Sequence, residues 1–366
     1  MRFTLILLLI FLITEAQAFV ITDSAGNTIE IQKADRIICL NSDCLEAIIM
    51  LGAKEKIVGL GSYALQKPYA PNVTDVGKWS EPNVEAIISL NPDIVITYVN
   101  YPERQKLEEK LKGTNIKVVR LDFYKLNTMF DEFITLGKIL GKEKEAGEIA
   151  NYWKKQLELI KNRVKDAKPV KVYWESYTAY KAAGNGTGWQ EILEIAKGEN
   201  VFLNEPSSYP QVDAERIIAK NPEVVIKSVS SSIFQPYKAK NATKLEEFYK
   251  DFISRPEIKQ IDAGKNGRIY VICSDMLHST FGLIAEVAYV AKILHPEALK
   301  DLNPEELHKK YVESLGLEYS GIWVYPEIKA EKMEKPERTP SFEFTLAIAS
   351  LIAVVIVIKI RRGDKK

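Results

Sequence analysis

Two glutamates stand out by their spacing. Residues 83–96 read NVEAIISLNPDIVI and residues 213–226 read DAERIIAKNPEVVI, an ungapped echo at an offset of 130 with seven of fourteen positions identical. The echo puts Glu85 and Glu215 at equivalent places. If Asn83 and Asp213 cap helices, each acid falls on the second helical residue, where the macrodipole favours a negative charge by about 0.3–1 kcal/mol. One such acid is ordinary helix chemistry. Two at matched positions imply a duplicated unit, and so two similar lobes.

Motifs for bond-breaking chemistry are missing. No His-Glu-x-x-His, phosphate-binding loop or nucleophile elbow occurs, which leaves an enzyme only as a rival built from scattered residues. The three histidines, His278, His295 and His308, lack metal-site spacing. Gly184-Asn-Gly-Thr-Gly188 fails the dinucleotide fingerprint, because the G-x-G-x-x-G spacing is absent. Cysteines number three, and an odd count is no disulfide framework. Cys39 and Cys273 sit in apolar, strand-like runs (RIICL, RIYVIC) and read as buried thiols, while Cys44 opens a helix that borders a cleft. A net charge of +1 argues against a nucleic-acid partner.

These residues need elements to hold them. Val20 to Ile31 reads as a hairpin turning at Ser24–Asn27. Apolar strands then alternate with helical patterns: RIICL, a helix in which Asp43-x-x-Glu46 suits a capping box, KIVGLG, the echoed helix, and DIVITY. A helix near 103–112, the strand KVVRL and a helix near 128–140 follow. Ile149, Trp153, Leu157, Ile160 and Val164 mark one long amphipathic helix, roughly 39 Å if continuous. A second βα series begins at KVYWE. The fold class is therefore α/β: two βα-lobes of mostly parallel sheet flanked by helices, joined by one long rigid helix.

Both ends differ from this pattern. A charged start, an apolar run from Leu5 to Ile13 and Ala16-Gln17-Ala18 mark a signal peptide over 1–18. Phe344 to Ile358 carries no charge and is followed by Arg361, Arg362, Lys365 and Lys366, which predicts a transmembrane helix with its tail in the cytoplasm. The expected segments are thus 1–18 signal, 19–141 N-terminal lobe, 142–168 interlobe helix, 169–320 C-terminal lobe, 321–341 charged stalk, 342–360 transmembrane helix and 361–366 tail. Thr339-Pro-Ser-Phe342 before that helix resembles an archaeal sorting signal, with Pro-Ser-Phe replacing the usual Pro-Gly-Phe. Asn72, Asn185 and Asn241 open glycan-acceptor triplets suited to an exported chain.

Over roughly residues 19–320 the chain resembles the substrate-binding proteins of ABC importers for metal chelates: ferric siderophores, haem and cobalamin. VGKWSEPNVEAIISLNPDIVITY and YPQVDAERIIAKNPEVVI look like the paired lobe signatures of its cobalamin branch. The resemblance implies no catalytic residue and no resident cofactor or protein-bound metal. It implies a metal-chelate ligand, and as partners an ABC permease dimer with its ATPase subunits. In such proteins each lobe offers a carboxylate to Arg residues of one permease subunit, and the matching positions are Glu85 and Glu215. The matching ligand positions are Tyr63, Trp79, Tyr98 and Tyr209, with the 184–188 loop, Asp275 and His278 facing the same cleft. Tyr98 and Tyr209 replace the Trp of the cobalamin branch, and a cleft Arg is lost near Ser279. The segment LHPEALKDLNPEELHKKY instead resembles binders of iron complexes. The ligand stays open between a corrinoid and an iron chelate. A membrane-anchored sensor is the other rival, although Lys359–Lys366 is too short for a signalling domain.

Overall fold

The computed structural model describes residues 18–273 and 279–328. Strands β1 (Phe19–Thr22) and β2 (Thr28–Ile31) form the expected antiparallel hairpin. Asp23 closes its turn by accepting from the amides of Ala25 and Asn27 at 3.0 and 2.8 Å. The first half continues through β3 (Ile37–Cys39), α1 (Ser42–Met50), β4 (Ile57–Leu60), β5 (Thr74–Asp75), β6 (Gly77–Lys78) and β7 (Glu81–Pro82). It ends with α2 (Val84–Leu90), β8 (Ile94–Thr97), β9 (Lys117–Arg120) and α3 (Met129–Leu140). Its main sheet has the order β5-β4-β3-β8-β9, with every pairing parallel. The central strands β3 and β8 are buried at every position, because helices cover both faces of a parallel sheet.

Helix α4 (Glu143–Val164) runs unbroken for 22 residues. Trp153, Leu157, Ile160 and Val164 form its buried stripe, as their spacing predicts. It packs tightly against α3 at Gly137, where an added Cβ would lie 2.3 Å from the Cβ of Ala146.

The second half holds β10 (Val170–Glu175), α5 (Gly188–Ile195), β11 (Gly198–Asn200), α6 (Ala214–Lys220) and β12 (Val224–Val229). Then come α7 (Thr243–Ser254), α8 (Pro256–Gln260), α9 (Asp262–Lys265), β13 (Ile269–Cys273), α10 (Gly282–Leu294), α11 (Pro304–Ser314) and β14 (Val324–Tyr325). Its sheet has the order β11-β10-β12-β13-β14, parallel except for the antiparallel edge strand β14.

The echo is conformational as well as textual. Asn83 caps α2 by accepting from the Ala86 amide at 3.1 Å, and Asp213 caps α6 by accepting from the Arg216 amide at 2.8 Å. Each helix ends on an asparagine in the left-handed region, Asn91 and Asn221, both at φ 44°. A shape that β-branched side chains avoid is thus kept by Asn in both copies. The acid after each Asn-Pro ties the helix to the first strand of its sheet. Asp93 accepts from the Arg36 amide at 2.9 Å and Glu223 from the Lys171 amide at 3.0 Å.

Four expectations change. Residues 103–112 form no regular helix: a short helical turn, Arg104–Lys106, runs into further hydrogen-bonded turns, although Leu107 and Leu111 are buried as a helix face would be. Asp43 and Glu46 are no capping box: Asn41 caps α1 through the Cys44 amide at 2.7 Å, and both acids point into the interior. Cys39 and Cys44 are joined in a disulfide rather than left as thiols. Trp323 is buried and β14 pairs with β13, so the chain stays in the folded body where the stalk was expected to start at 321. Residues 1–17 and 329–366, which carry the expected signal, transmembrane helix, tail and most of the stalk, lie outside the described residues. Among the described residues no helix is long and apolar enough to cross a membrane.

Candidate functional site

Parallel strands deliver their following loops to one edge of a sheet, and ligands collect there. In the first half Leu40, Asn41 and Ser42 follow β3, Tyr63 lies three residues beyond β4, and Tyr98, Asn100 and Tyr101 follow β8. Asp122 and Tyr124 follow β9, and Trp79 sits on the turn between β6 and β7. These residues line a cleft of about 440 Å³. The second half closes it with Gly186, Thr187 and Gly188, at the start of α5, and with Tyr209. That volume suits a small-molecule site.

The walls are aromatic. Trp79 meets Tyr98 and Tyr101 edge-on, with centroids 5.8 and 5.4 Å apart. Tyr98 meets Tyr124 the same way at 5.8 Å. Opposite, Tyr209 packs edge-on against Trp189, which stacks on Trp174. Trp79, Tyr63, Tyr209 and Tyr101 keep 38%, 41%, 42% and 53% of their surface in water. Single exposed rings are common, but four around one concavity form an exposed aromatic patch.

Buried acids support the floor. Asp122 accepts from the Val99 amide at 2.8 Å and from Lys125 at 2.6 Å. The Tyr98 hydroxyl donates to Asp43 Oδ2 at 3.2 Å. The Asp43 carbonyl accepts from the Thr280 hydroxyl at 3.0 Å. Glu46, one turn further along α1, accepts from the Tyr69 and Tyr311 hydroxyls and, at 3.1 Å, from the Thr280 amide. A buried polar network therefore crosses from α1 to the segment before α10 and to α11. Burial, with Glu46 adding to it, pushes the Asp43 carboxyl well above its ordinary range; burial also raises Glu46. Burial and then Asp43 raise Tyr98, which stays a neutral hydrogen-bonding phenol.

The structure brings Tyr63, Trp79, Tyr98 and Tyr209 together around this one cleft, with the 184–188 loop beside them. Asp275 and His278 lie outside the described residues. Asn41, Asn100, Tyr101, Asp122 and Tyr124 escaped the sequence reading. Their signal was positional, since each stands within four residues of the C-terminal end of a parallel strand. Glu85 and Glu215 are both exposed on the first turns of α2 and α6. Among the described residues no three His, Cys, Asp or Glu side chains converge to hold a metal ion.

A family model described as periplasmic binding protein matches residues 37–276. A vitamin B12-binding protein of Yersinia pseudotuberculosis serotype O:3 (strain YPIII) is 23% identical over 206 residues, 56% of this chain and 73% of its own length. Among solved structures, the TroA-like periplasmic binding protein FepB from Veillonella parvula matches with a TM-score of 0.73 at 22% identity, covering 83% of this chain and 98% of its own. The molybdate-bound MolA of Haemophilus influenzae matches with a TM-score of 0.64 at 17% identity, covering 82% and 99%.

Proposed function

The chain belongs to the periplasmic binding protein family, and from that premise we propose that it is the extracytoplasmic receptor of an ABC importer for a metal chelate. It captures a ferric siderophore, a haem-type iron complex or a corrinoid in the cleft and passes it to the permease. The observation that carries this reading is the cleft, lined from both halves and walled by exposed aromatic rings. Such rings bury much area of a flat, bulky complex while losing few rotamers. The vitamin B12-binding relative supports the ligand class.

Docking is the second part of the proposal. Glu85 and Glu215 are exposed, on matching first turns of capped helices. Two matched acids fit the two identical subunits of a permease dimer, each met by Arg in a directional, charge-assisted pair. The signal at 1–18 exports the chain and the span at 342–360 tethers it, which keeps the receptor concentrated near its transporter. The full-length protein, purified in detergent, is to be titrated with cyanocobalamin, haemin and ferric hydroxamates by calorimetry. Saturable one-to-one binding of one class is the expected result, and failure to bind any of them rejects the reading.

A further inference from the structure

We infer that the cleft sorts metal chelates by charge, accepting neutral or cationic complexes and turning away anionic ones, and that the Asp122 carboxylate sets this preference. The inference rests on the receptor reading above and deepens it.

Asp122 lines the cleft, yet it is only 2% exposed. Its Oδ1 takes the Val99 amide and its Oδ2 takes Lys125, so its position is fixed from two sides. Among the described lining residues there is no Lys, Arg or His. Two lysines near the cleft are engaged. Lys125 is bound to Asp122, and Lys67 sits over the Tyr63 ring at 4.9 Å.

The remaining lining is aromatic or neutral. Ring faces carry negative potential, which attracts cations and repels anions. The Tyr124 hydroxyl is pushed up by burial and then by Asp122, so that carboxylate bears on this corner. An anionic chelate entering here would lose its hydration and find no Lys, Arg or His in exchange among the described lining residues. A neutral or cationic one would meet phenol hydroxyls, the Asn41 and Asn100 amides and one fixed carboxylate.

The test uses charge series built on one scaffold, so that shape is held constant. Aquocobalamin is cationic, cyanocobalamin neutral, and a cobalamin monocarboxylate anionic. Ferrioxamine B is cationic, its N-acetyl form neutral, and its N-succinyl form anionic. Calorimetry on the full-length protein should show, for whichever scaffold binds, the anionic member weaker than the neutral one by about tenfold or more. Asp122→Asn keeps an acceptor for the Val99 amide and removes the charge. It should weaken the cationic member about tenfold relative to the neutral one and narrow the penalty on the anion. Lys125→Met should act in the opposite direction. Should D122N fail to give a cooperative unfolding transition, the wild-type series and Lys125→Met still decide.

Equal affinities across a series, or tightest binding of the anion, overturn the inference while leaving the receptor reading intact. An unchanged charge preference in a folded D122N overturns the role given to Asp122. No binding on either scaffold takes down the inference; the receptor reading falls with it only if haemin also fails to bind.

Discussion

Helices α2 and α6 agree in cap, in second-position glutamate, in a left-handed terminal asparagine and in the acid that anchors them to their sheets. The two walls of the cleft share nothing comparable. The first half supplies Trp79, Tyr63, Tyr98, Tyr101 and Tyr124, whereas the second supplies a glycine-rich loop and Tyr209. Under the proposed function the matched helices face a symmetric partner and the unlike walls face an asymmetric ligand, which fits an echo confined to 83–96 and 213–226.

The largest effect should come from breaking the symmetric pair. Glu85→Ala with Glu215→Ala should abolish chelate uptake in cells and leave the affinity of the purified protein unchanged. Normal uptake by that double variant would separate the echo from docking. Next in size is the asymmetry of the walls. Trp79→Ala should cost about 2 kcal/mol of binding, roughly 30-fold in Kd, because an exposed aromatic ring that the ligand would cover is removed. Tyr209→Ala should cost less, about 1 kcal/mol, since Trp189 stays in place behind it. Equal losses by calorimetry would contradict the unequal walls.

A smaller change measures how similar the two helices are. Asn83→Ala and Asp213→Ala each remove one cap bond and should each cost about 1 kcal/mol in chemical denaturation. Values differing by much more than that would break the equivalence. The smallest effect concerns the network between the halves. Glu46 and Asp43 hold their protons more tightly folded than unfolded. The folded state therefore binds more protons, and stability falls as pH climbs above the ordinary carboxylate values of 4.5 and 3.8. Glu46→Gln should flatten that fall in a series of thermal melts, and an unchanged slope would deny Glu46 its part.

Much of the fold was legible. Periodicity located α4, a helical pattern near 128–140 located α3, and apolar runs located the parallel strands, because burial on both faces leaves no alternation to confuse them. The single turn at 104–106 was less legible: its charged residues favour helix locally, and packing of Leu107 and Leu111 settles the backbone differently. The Asp43–Glu46 spacing is the same for a capping box and for an inward-facing pair, and only the position of Asn41 decides between them. Three cysteines do not state which two meet. Four of the cleft rings were legible through resemblance, whereas Asp122 was not, because a lone acid after a strand has no pattern of its own.

The polar bridge from α1 to Thr280 and Tyr311 has a consequence in time. Its bonds fasten the halves to each other beneath the floor of the cleft and use no atom of the cleft lining. Capture should then be a single bimolecular step, with an observed rate that climbs in a straight line with ligand concentration and shows no plateau from a slower closing event.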